Sequence, residues 1–177
     1  MKRTLALLML LTVCILSLSG CAENTQSPVS YAFEAQYIRT NRCDDTEIPT
    51  YALIHSRKEL DAYYEANKNT FDLERKETVF ADTTIGFLDA CDKYDDAYFE
   101  THNLLLIVLE EPSGSIRHQI TDVRPSEGGV GWTVTVKRVR PSKFQTDDMA
   151  AWHLFLEIQM GKVIAPQDPI TIQIENE

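Results

Sequence analysis

Six consecutive aliphatic residues, Leu104-Leu105-Leu106-Ile107-Val108-Leu109, constrain this chain more than any other feature. Successive side chains of a strand point to opposite faces, so a run in which both sets are apolar reads as a central strand buried on both sides. The chain beyond this run is strand-like as well. Residues 115–123 alternate, and residues 130–139 alternate strongly, with Trp132, Val134 and Val136 on one face and Thr133, Thr135 and Lys137 on the other. Residues 152–159 and 170–174 make two further strands. The segments Pro112-Ser113-Gly114-Ser115 and Ser126-Glu127-Gly128-Gly129 are turn sequences, expected to close hairpins between these strands.

The first half is mixed. Residues 31–38 alternate, with Tyr31, Phe33 and Tyr37 sharing a face, and residues 50–55 form a second short strand. Ser56 and Glu59 have capping-box spacing, so a helix is expected over residues 57–68, with Leu60, Tyr63 and Tyr64 on its apolar side. A second helical region spans residues 84–101, broken near Tyr94-Asp95, with Phe87, Leu88, Cys91, Tyr98 and Phe99 as its apolar positions. Two strands, two helical segments and then about five strands predict an α+β fold. Its sheet is mostly antiparallel, of about five to seven strands, with the helical segments inserted before the main strand run.

The N-terminus carries an address. Lys2 and Arg3 precede an apolar run from Leu5 to Leu16 interrupted only by Thr12. That run falls short of the roughly 20 apolar residues of a membrane span and matches the apolar region of an export signal. Leu18-Ser19-Gly20-Cys21 follows, and it resembles the bacterial lipobox. The resemblance implies a diacylglyceryl thioether on the Cys21 sulfur and cleavage before that residue. An ordinary secretory signal with an incidental cysteine is the alternative. Two acyl chains anchor a protein stably where one is marginal. The expected organisation is a signal peptide over residues 1–20, lipidated Cys21 with a polar tether to residue 30, and one domain over residues 31–177. Residues 22–30 reach at most about 30 Å when extended, which holds the domain close to a membrane.

Charge narrows the partners. The chain has 17 basic and 27 acidic residues, and removal of residues 1–20 takes two basic residues and no acidic ones, leaving a formal charge of −12. Such acidity argues against nucleic acid and against lying flat on an anionic membrane. Besides Cys21, the cysteines left after cleavage are Cys43 and Cys91. Outside the cytoplasm they could pair, closing a loop of about 50 residues that contributes roughly 4 kcal/mol in the chain-entropy picture; free thiols are the alternative.

Three segments carry a resemblance. Residues 83–91 (TTIGFLDAC), Ser113-Gly114-Ser115-Ile116-Arg117-His118 and Asp148-Met149-Ala150-Ala151-Trp152-His153 are similar to segments of small uncharacterised lipoproteins of clostridial gut bacteria. The resemblance covers most of the mature domain and implies no particular activity. Members of that family often carry a cysteine where this chain has Asp147, which leaves the pairing of Cys91 open. The later strands are distantly similar to the C-terminal domain of the PrcB-type protease-complex subunit, which would imply a role in protein–protein interaction outside the cell.

Four groups of residues are candidates for chemistry. Ser113, Gly114 and Ser115 could form a nest of backbone N–H groups, and with Arg117, Asp148, Trp152 and His153 they could make a face that holds a carboxylate, a sugar or a protein partner. The structural alternative has Arg117 paired with Asp148 or another carboxylate, Trp152 in the core and Gly114 making the turn. Nucleophilic catalysis by Ser115, with His118 or His153 and Asp148, lacks the strand–GxSxG–helix elbow, and His118 should face away from Ser115. No catalytic residue is assigned. Asp89, Asp92 and Asp96 share a helix face, yet the histidines His55, His102, His118 and His153 are dispersed without ligand spacing, so neither a metal nor a cofactor is expected. Lys137, Arg138, Arg140 and Lys143 are basic, but Lys137 and Arg138 face opposite ways on a strand and form no single patch. The expectation is an anchored extracytoplasmic binding or interaction module for an unknown protein or small ligand, on the outer face of the cell membrane. The rival is a hydrolase acting on cell-wall or protein material.

Overall fold

The apolar run from Leu104 to Leu109 lies at the centre of the fold. A computed structural model of the protein describes residues 30–45, 47, 49–76, 85–128, 130–140, 148–159 and 168–176. Cys21 and almost all of the expected tether lie outside these residues. The elements run β1 (Glu34–Thr40), β2 (Tyr51–Ile54), α1 (Arg57–Asn67), α2 (Phe87–Cys91), α3 (Asp96–Phe99), β3 (His102–Glu111), β4 (Arg117–Pro125), β5 (Trp132–Val139), β6 (Ala150–Gln159) and β7 (Ile170–Asn176). The fold is α+β. β1, β6, β3 and β2 form one antiparallel sheet in that order, and β4, β5 and β7 form a second.

β3 and β6 pair over their whole length, from His102 opposite Gln159 to Glu111 opposite Ala150. Both are covered on two sides, for different reasons. Leu104, Leu106 and Val108 of β3 and Ala151 and Phe155 of β6 face the helices, where they meet Leu60, Phe87, Ala90, Cys91, Tyr94 and Phe99. Leu105, Ile107 and Leu109 with Trp152, Leu154 and Leu156 face the second sheet and meet Ile120, Val123, Val134, Val136 and Ile170. The molecule is thus helices, sheet, sheet, with two cores either side of β3 and β6. At roughly 2 kcal/mol per fully buried aliphatic side chain, these strands supply much of the driving force for folding.

Local signals set the boundaries. Ser56 Oγ accepts from Glu59 N–H at 3.2 Å at the start of α1, and the Glu59 carboxylate accepts from His55 N–H at 2.7 Å. The break expected near Tyr94-Asp95 is where α2 ends and α3 begins, and Asp95 caps α3 by accepting from Tyr98 N–H at 2.8 Å. The turn at Ser126 joins β4 to β5 as an antiparallel hairpin closed by Ser126 N–H donating to Gly131 O at 3.0 Å. Gly131 adopts φ +84°, and a β-carbon there would lie 2.3 Å from Pro169 O, the acceptor that Trp132 N–H uses to set β7 beside β5.

Two connections differ from the hairpin expectation. The segment after Pro112 does not close a hairpin: β3 belongs to the first sheet and β4 to the second, so this turn carries the chain across the sandwich. β5 and β7 run parallel, from Trp132 opposite Ile170 to Arg138 opposite Asn176. Parallel neighbours cannot be joined by a tight turn. Here the connection passes through β6 in the other sheet.

Candidate functional site

The Ser113–His118 and Asp148–His153 segments do meet, but not as an open binding face. Gly114 N–H donates to Asp148 O at 2.7 Å, Ser115 N–H to Ser113 Oγ at 3.3 Å and Ile116 N–H to Ser113 O at 3.2 Å. These N–H groups of the turn are used within the protein, and the Ser113 side chain is buried. Gly114 is required by a close approach. A β-carbon on it would stand 2.3 Å from the Arg39 guanidinium and 2.6 Å from the Asp148 carboxylate, which are hydrogen-bonded to each other.

Asp148 is therefore paired with Arg39 of β1, not with Arg117. Arg117 is exposed, donates to Gly114 O and lies over the Trp152 ring at 5.1 Å. Trp152 and His153 are adjacent on β6 and point into opposite cores. Trp152 is buried in the sandwich, whereas His153 is fully buried on the helix side. The group Ser113, Gly114, Ser115, Arg117, Asp148, Trp152 and His153 thus divides into a closed turn, a carboxylate paired with Arg39, a stacked cation and two core residues.

His153 sits in an aromatic cage. Phe71, Phe87 and Tyr63 present edges or faces to it at 4.9, 5.2 and 6.0 Å. Its Nδ1 is 3.1 Å from Thr40 Oγ1 and its Nε2 is 3.1 Å from the Tyr63 hydroxyl. Thr40 Oγ1 lies 3.3 Å from Ala151 O, which takes its proton. Nδ1 then donates to Thr40 and Nε2 accepts from Tyr63, a neutral tautomer held at both ends. Burial pulls the His153 pKa down to about 3, and it raises that of Tyr63.

His118 lies on the other side of the sheet, between the two sheets. Its Nε2 is 2.7 Å from Glu111 Oε1, which also accepts from Arg138 Nε at 2.8 Å. Burial holds the His118 pKa below its usual value despite the pull of Glu111. The edge of this imidazole meets Trp152, with centroids 5.6 Å apart. Glu111 Oε2, His118 Nδ1 and Trp152 Nε1 are buried with no hydrogen-bond partner among the described residues. Glu111 is absent from the residues that the sequence singles out, although a signal exists: Leu105, Ile107, Leu109 and Glu111 continue one face at period two, which carries a carboxylate into the sandwich. Arg39, Thr40 and Tyr63 have no such signal, because their partners are 90 or more positions away in the chain.

The remaining candidates resolve simply. Cys43 and Cys91 are both free, Cys43 exposed and Cys91 buried, so the disulfide is not formed. Cys91 is sealed between α2 and the sheet, where burial pushes its pKa up to about 12, while Cys43 lies in the loop after β1. Asp89 and Asp92 are gathered by Arg75, bidentate on Asp92 at 2.6 and 2.7 Å and at 2.9 Å from Asp89, and both carboxyl pKa values are lowered. Among the described residues no group of three or more histidine, cysteine or acidic side chains is placed to hold a metal ion. No described helix is long and apolar enough to cross a membrane. Arg138 is bound to Glu111 and Asn176, and Lys143 lies outside the described residues.

Open surface hollows lie elsewhere. One of about 510 Å³ runs between the loop before β2, the end of β3, Arg138 and Ile174. It shares Arg42, Asp45 and Glu110 with a neighbouring hollow of about 240 Å³ that reaches Cys43 and Met149. Comparison with known proteins finds no matching family model, no matching curated protein and no matching solved structure.

Proposed function

We propose that this chain is an extracytoplasmic lipoprotein, held on the outer face of a cell membrane by lipid on Cys21, and that its domain is a non-enzymatic binding or protein-interaction module. The observation that supports binding over hydrolysis is the placement of the histidines. His118, on β4 of the second sheet, lies between the two sheets, and His153, on β6 of the first, points to the helix side of that sheet, each bonded to structural partners. A hydrolase working through Ser115 would need one of them beside the nucleophile as general base. The acidity of the chain agrees with a protein partner or a small ligand and not with nucleic acid.

The experiment that separates binding from hydrolysis is treatment of the purified protein with a fluorophosphonate probe, followed by mass analysis of the peptide containing Ser113 and Ser115. The binding reading expects no adduct. A stoichiometric adduct on either serine would overturn it in favour of a hydrolase acting on cell-wall or protein substrates.

A further inference from the structure

The sandwich has four sheet edges, and three of them are blunted. β1 has its Arg39 carbonyl occupied by Lys76 Nζ at 2.7 Å. β4 receives Tyr31 N–H on Val123 O at 2.9 Å. β2 is four residues long and is entered from Pro49. β7 is different. It is seven residues long, its only strand neighbour among the described residues is β5, and no described residue pairs with its outer edge. An edge of this length that no described residue covers is a template for another chain.

Its side chains add direction. Ile170 is buried, Ile172 is half-buried and Ile174 is 38% exposed, so the apolar row of β7 leaves the core gradually and emerges at the larger hollow. Met149, 71% exposed, stands at the far end of the adjoining hollow. Between these apolar ends, Asp45 and Glu47 line the larger hollow and form no ion pair with any described residue. Glu175 follows on β7 itself, and Arg42 and Arg138 are already held by Glu110 and Glu111.

We infer that the outer edge of β7 is a docking site for an extended, basic segment of a partner protein, which adds as a strand and places cationic side chains against Asp45 and Glu47. Main-chain hydrogen bonds supply the grip in this mode, and alternate side chains supply the choice of partner. The alkyl stems of those cationic side chains, which enter the hollow, cover Ile174, and the residues between them point to the other face of the added strand. Its basic residues meet a surface that would repel an acidic one. This inference rests on the binding reading above and names its site and the kind of partner.

The test uses the lipidated full chain in detergent and a labelled nine-residue peptide of alternating lysine and valine. Three controls accompany it: the glutamate–valine counterpart, a version N-methylated at positions on both strand edges, and the Asp45→Lys/Glu47→Lys protein. The inference expects the lysine peptide to bind at least about tenfold more tightly than any control pairing, with affinity falling as salt rises. It also expects slowed amide exchange confined to residues 170–176. Equal binding of the N-methylated peptide would overturn strand addition, and equal binding by the doubly substituted protein would overturn the docking site. Absence of binding would overturn this edge assignment alone, whereas an adduct on Ser113 or Ser115 would overturn the binding reading beneath it.

Discussion

A neutral histidine sealed in a core makes stability depend on pH in a window where carboxylates contribute little. The sign comes from proton counting. The folded-state pKa of His153 is about 3, below the unfolded value of about 6.5. Between those values the unfolded chain binds a proton at this position and the folded one does not, so stability falls as pH falls. The loss from this residue between pH 7 and pH 4.5 is about 2.5 kcal/mol, at 1.36 kcal/mol per pKa unit. Below pH 3 it levels off. His118, also shifted down by burial, adds a loss of the same sign. The perturbation is His153→Phe, which keeps an aromatic ring in the cage formed by Phe71, Phe87 and Tyr63. At pH 7 the variant should be less stable by about 1–3 kcal/mol, because the Tyr63 hydroxyl loses its partner. Its further loss on going to pH 4.5 should be smaller than that of the wild type by about 2.5 kcal/mol. Urea unfolding of both proteins at the two pH values measures this difference directly. Equal pH dependence in the two would refute the buried, neutral assignment of His153.

Three further outcomes are set by the geometry. In the native, unreduced protein a maleimide should label Cys43 and spare Cys91, and unfolding without reductant should expose both; protection of both after unfolding would mean a disulfide. Glu111→Ala should cost on the order of 3–5 kcal/mol in thermal or urea unfolding, because it strips Arg138 and His118 of their shared acceptor, whereas Asp122→Ala, at a partly exposed pair with Arg124, should cost under about 1 kcal/mol. Arg117→Ala should lower stability by no more than about 1–2 kcal/mol, since it removes a stacking contact with Trp152 and a bond to Gly114 O without orphaning a carboxylate, and a larger drop in the melting curve would contradict that reading.

The elements legible in the sequence are those written in local pattern. The apolar run of β3, the alternation of β5 and the Ser56–Glu59 cap each report their own surroundings, and all three stand in the structure as expected. The break at Tyr94-Asp95 is legible because Asp95 is itself the cap. Pairings that depend on the third dimension are not. Nothing near the Ser113–Ser115 turn says that its strands enter different sheets, and a hairpin is the simpler reading of Pro, Ser and Gly together. Asp148 takes Arg39 rather than Arg117 because β1 and β6 are neighbours, a fact of strand order spread over 109 positions. His153 looks like a site residue because it follows Trp152, but alternation along β6 sends the two to opposite cores.

The proposed anchor is lipid on Cys21. Its most direct measurement is phase partition in a detergent that separates on warming, with mass analysis of the N-terminal peptide, for wild type and Cys21→Ala expressed in a lipoprotein-processing bacterium. Wild-type protein is expected in the detergent phase with acyl mass on a peptide beginning at Cys21, and the variant in the aqueous phase without it. Equal partition of the two, or a wild-type N-terminus elsewhere without acyl mass, would contradict a lipid anchor on Cys21.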